Sequence, residues 1–81
     1  MASLPKTAFA NSDELKRFRQ KIGMNQTDFW SRVNVTQSGG SRYEKSRSVP
    51  KPVQLLLTIA YGTDLQCEKV VQQLRAWKDA D

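Results

Sequence analysis

Eighty-one residues allow one domain with a modest apolar core. The chain has no histidine and a single cysteine, Cys67, which excludes a disulfide framework and a Cys/His metal site. The net charge of +5 is uneven: residues 14–51 hold nine Lys or Arg against three acids, and residues 52–81 hold three against four. A basic segment of this kind suits a polyanion or, as the plainer alternative, a well-solvated surface.

Residues 1–11 lack periodicity and contain Pro5, so they read as a flexible tail. A functional version would be an arm with Lys6 and Phe9 as contacts. They show neither an apolar export core nor an Arg-rich amphipathic pattern, and the longest apolar run, Val53–Tyr61, is far too short to span a bilayer. The expectation is a cytoplasmic protein.

Five helices follow. The first starts at Asn11 or Ser12, with Glu14 three residues beyond Asn11 in the manner of a capping box. Leu15, Phe18 and Ile22 mark its apolar face, and Gly23 stops it. Asn25 caps the second helix, which turns Phe29, Trp30 and Val33 inward. Asn34 tolerates the left-handed backbone that a sharp helix–helix turn needs. Thr36 caps the third helix, Gln37 to about Glu44, whose Gly39 and Gly40 are weak helix formers. Lys45–Val49 reads as a polar loop. Pro50 and Pro52 open the fourth helix, which is apolar on nearly all sides up to Tyr61 and ends at Gly62. Thr63 and Gln66 form a capping box for the fifth, with Leu65, Val70, Val71, Leu74 and Trp77 as its apolar face. Cys67 reads as a small apolar residue in that helix rather than a reactive thiol.

The ordered motifs LKRFRQKIGMNQ, VTQS, SRYE, and P-x-P followed by LLLTIAYG resemble the phage-repressor-like (Cro/repressor, XRE-type) helix-turn-helix family over Leu15–Gly62. With the five helices read above, the resemblance implies an all-α, five-helix DNA-binding domain with residues 12–62 as the helix-turn-helix core; residues 63–81 match it in position only and read as a C-terminal helix for dimer contact. It also implies that helix 3 enters the major groove of double-stranded DNA while helix 2 crosses the backbone. Gln37 would read a base, and a Gln amide makes two hydrogen bonds to adenine. Ser38, Ser41 and Arg42 would share its exposed face. Asn25 and Gln26 match phosphate-bonding positions, and in the family that Gln also braces the reading Gln. Thr36, Lys45, Arg47 and Lys51 are further phosphate candidates. Arg19 and Glu44 match a structural ion pair that fixes helix 3 to the scaffold.

Some positions depart from the family pattern. Trp30 and Gly40 stand where it prefers Ala and Ile or Val, Asn34 replaces the turn glycine, and Ser46 replaces a glycine after the Glu. Either the Trp30 indole packs over Gly40, and over Gly39 as well, or the two glycines bring the backbone of helix 3 close to DNA. Leu65, Leu74 and Trp77 are candidate dimer contacts; their alternative is packing on helix 4.

The function read from this pattern is a sequence-specific transcriptional repressor or other regulator, acting as a homodimer on a palindromic operator. The alternatives are an antitoxin that also neutralises a toxin partner, and an adaptor that uses the fold for protein contacts alone. No acid–base constellation suggests an enzyme, and neither a cofactor nor a metal is expected.

Overall fold

The computed structural model describes residues 7–46 and 48–78. The described residues are all-helical, with no strand: α1 (Ser12–Lys21), α2 (Gln26–Ser31), α3 (Gln37–Lys45), α4 (Lys51–Tyr61), α5 (Asp64–Arg75) and a closing 3-10 turn, Ala76–Lys78.

Side-chain caps set most of the helix starts. Asn11, Asn25, Thr36 and Thr63 each accept a hydrogen bond from the backbone N–H three residues on. At Thr63 the box is complete, because the Gln66 side chain accepts the Thr63 N–H at 2.9 Å. At α1 the box is displaced: Glu14 reaches the N–H of Ala10 at 2.6 Å rather than that of Asn11. Asn34 sits at φ 61°, the left-handed conformation that folds α3 back across α2.

The core gathers Leu15, Phe29, Trp30, Val33, Val49 and Leu57, with Phe9, Phe18 and Tyr61 packed against it. The Tyr61 ring stacks on Phe29 at 4.2 Å between centroids, and its hydroxyl donates to the Phe29 carbonyl at 2.6 Å. Aromatic stacking of this kind adds about 0.5–1.5 kcal/mol beyond area burial.

Several sequence expectations need correction. Residues 7–9 are not a free tail: the Ala8 N–H donates to the buried Thr58 hydroxyl at 2.9 Å, and the Phe9 ring lies 5.1 Å from Phe18. Lys6 and the rest of residues 1–6 lie outside the described residues. Ile22, the C-cap of α1, is exposed rather than part of a buried face. Lys45 belongs to α3, not to the loop. Helix α4 is amphipathic after all. Leu57 and Thr58 are buried, whereas Leu56 and Ala60 are exposed, so the apolar run overstated its burial. On α5 only Val70 is fully buried, and the expected apolar face is otherwise open.

Candidate nucleic-acid interface

Helices α2 and α3, with the turn between them, form a helix-turn-helix. The turn is tight because Trp30 O accepts the N–H groups of both Val33 and Val35, at 3.1 and 3.0 Å. Helix α3 then lies over the indole of Trp30. A Cβ placed on Gly40 would overlap Cγ and Cδ1 of that ring, so only glycine permits the approach. Gly40 is buried, which rules out the alternative that it faces DNA. Gly39 is not part of this packing, since a Cβ there would meet Val35 and Thr36 instead.

Glu44, buried at the end of α3, joins three elements. It accepts Arg19 Nε at 2.8 Å and Arg19 Nη2 at 3.0 Å from α1, and Gln26 Nε2 at 3.2 Å and Trp30 Nε1 at 2.8 Å from α2. Arg19 also donates to the Met24 carbonyl at 2.9 Å, which ties down the link between α1 and α2. Burial alone would raise the Glu44 pKa. The hydrogen bonds from Arg19, Trp30 and Gln26, together with the Arg19 charge, outweigh that effect and hold the carboxyl below its usual value.

From this buried anchor the chain of contacts runs outward. Gln26 gives its Nε2 to Glu44 and accepts Gln37 Nε2 at 2.7 Å on its Oε1. Gln37 itself is exposed at the first turn of α3. One N–H of its amide is used by the brace, and the other N–H and Oε1 make no hydrogen bond among the described residues.

The remaining candidates fall in different places. Ser38, Arg42 and Lys45 are exposed at i, i+4 and i+7, one stripe along α3, and Ser41 beside them is half-buried. Gly39, Arg42, Tyr43, Ser46, Ser48 and Pro50 line an open groove next to that stripe. Thr36 and Asn25 are exposed, yet both side-chain oxygens are engaged as caps. Asn25 Nδ2 also donates to Asp28, at 3.3 Å. Lys51 is exposed at the first position of α4, and Arg47 lies outside the described residues. Leu65, Leu74 and Trp77 are exposed, remote from this surface in sequence.

Sequence reasoning missed the Trp30 N–H as a Glu44 partner. The available signal was general: a buried indole needs an acceptor, and Glu44 was already assigned to the same helix packing. It also missed the Thr58 hydroxyl, which accepts from Ala8 and donates to Gln54 O at 2.8 Å.

Comparison with known proteins yields no significant match to a curated protein or to a solved structure. The sequence profile of the RsaL-like HTH domain matches residues 16–60, more than half of the chain, and spans α1 to α4 with the whole α2–turn–α3 unit. A helix-turn-helix is a DNA-binding unit, and the profile and the geometry agree: this chain belongs to the RsaL-like helix-turn-helix domain family.

Proposed function

We propose that the protein is a transcriptional repressor that binds a palindromic operator as a homodimer, with α3 in the major groove in the manner of the phage-repressor-like family. The observation that carries this reading is the braced Gln37. Reading adenine takes one amide N–H to N7 and one amide oxygen to the N6 amino group. Those are the two groups that the bond to Gln26 leaves open. A side chain already fixed in position loses less freedom on binding, which favours specific contact.

Around Gln37, Ser38, Ser41 and Arg42 are the further base-reading candidates in this proposal. Lys45, Arg47 and Lys51 neutralise phosphates. Gln26, Asn25 and Thr36 approach the backbone near the starts of α2 and α3. Since Asn25 and Thr36 spend their oxygens on capping, Asn25 would use its amide N–H and Thr36 its hydroxyl proton.

Selection of bound duplexes from a random pool tests the reading. The expected product is a palindrome with half-sites on the order of 34 Å apart. Affinity should fall steeply with salt, as phosphate neutralisation requires. Gln37→Ala should lose about 1–3 kcal/mol of discrimination at one symmetric base pair and leave the others intact. A pool that yields no consensus, or a Gln37→Ala variant with unchanged preferences, would sink the assignment.

The dimer contact is proposed on α5 and the 3-10 turn. Val71, Leu74 and Trp77 follow one another at spacings of three along one side, and are 36%, 46% and 72% exposed. Leu65 is nine residues before Leu74, half a turn away around the helix, so one partner surface does not bury both. Trp77→Ser should therefore give a monomer in sedimentation, with operator affinity lower by about 100-fold or more through lost bivalency. Leu65→Ser should leave the dimer intact.

A further inference from the structure

The four hydrogen bonds to Glu44 are divided evenly. Oε1 accepts Arg19 Nη2 and Gln26 Nε2; Oε2 accepts Arg19 Nε and Trp30 Nε1. Arg19, itself held by the Met24 carbonyl, grips both oxygens from α1 alone and leaves the carboxylate free to tilt about that edge. Trp30 approaches from another helix and removes that freedom. Its own position is fixed: the residue has 0% exposure, Gly40 lies against the indole, and the rings of Phe29 and Tyr43 sit 5.5 and 5.6 Å away. The indole N–H is therefore an immobile donor aimed at one oxygen of Glu44. The other oxygen carries Gln26, and Gln26 carries Gln37.

We propose that Trp30 is a positioning residue for base recognition: its indole N–H fixes the Glu44 carboxylate, and through Gln26 it sets the orientation of the Gln37 amide. The inference rests on the proposed base-reading role of Gln37. Trp30 itself is buried and touches no DNA in this scheme. Without its N–H, Oε2 keeps only Arg19, the carboxylate turns, Gln26 follows its acceptor, and the amide of Gln37 leaves the plane needed for two simultaneous bonds. A Trp30 that only fills space would show none of this position-specific effect.

The test compares Trp30→Phe, Gln37→Ala and the double variant with the parent chain, each titrated with the selected operator and with every single-base change of it, at one fixed salt concentration. Trp30→Phe keeps an aromatic ring against Gly40 and deletes the donor. Its salt dependence should stay as in the parent. Discrimination at the base pair that depends on Gln37 should fall by about fivefold, within the range one bidentate contact supplies. In the Gln37→Ala background the same change should add no loss at that position. An unchanged discrimination pattern, or a uniform weakening at all positions, overturns the positioning role. Unchanged discrimination in Gln37→Ala removes the base-reading assignment first, and this proposal with it. If Trp30→Phe does not fold, benzothienylalanine at position 30 alone retains the fused ring without the N–H, and the same two patterns decide.

Discussion

Gly40→Val should destabilise the protein by about 1–3 kcal/mol, because the new side chain would be driven into the Trp30 indole. Trp30→Ala should cost about 3–5 kcal/mol, since it empties the centre of the core. Together they should cost less than the sum. Valine then occupies space that the indole has vacated, and a favourable coupling of about 0.5–3 kcal/mol is expected between residues in such contact. Recovery stays partial, because the Trp30 donor to Glu44 is not replaced. Denaturant unfolding of the three variants provides the cycle, and strict additivity would show that the two positions are not packing partners.

Glu44→Ala is the second large expected effect. It leaves the Arg19 guanidinium, itself only 12% exposed, along with the Trp30 and Gln26 donors, without their common acceptor. Breaking one partner of a buried pair costs about 3–5 kcal/mol. The pH dependence follows from the direction of the shift. The folded Glu44 pKa is lower than the unfolded one, so the folded state binds the proton less readily, and acid favours unfolding. The stabilisation is complete above the ordinary glutamate range and is lost as pH falls through the lowered folded value. The stability difference between the parent and Glu44→Gln should therefore narrow on acidification within that window. A gap that stays constant through the acid range would mean that the Glu44 charge does not contribute.

Much of the architecture was legible because short-range chemistry fixes it. Asn, Thr, Gly and Pro mark helix ends through local hydrogen bonds and backbone limits, and the caps at Asn25, Thr36 and Thr63 follow from residues within three positions of each. The Trp30–Gly40 fit was also open to reasoning, since one oversized and one missing side chain stood at facing positions. Burial around α4 and α5 was not. An apolar run has the same composition whether both sides are covered or only one, and the coverage depends on long-range contacts. The strap of residues 7–9 was illegible for the same reason: its hold is Thr58, fifty residues away, whose hydroxyl looks like any other in an apolar segment. At the candidate interface, the family resemblance pointed to Gln37 and to its brace by Gln26. It did not point to the Trp30 donor behind them, because the family prefers Ala at that position and the direction of the indole emerges only once α3 is seated over Trp30.

The Tyr61–Phe29 stack bears on how this domain could be transplanted. The recognisable family span stops at residue 60, one position short of the tyrosine that covers Phe29, and begins at residue 16, one position after the buried Leu15. A graft cut at those limits would carry α3 but shed part of the aromatic cluster of the core, along with Phe9 at its edge. The portable unit is longer than the family signature: it runs from the strap at residue 7 to at least Tyr61.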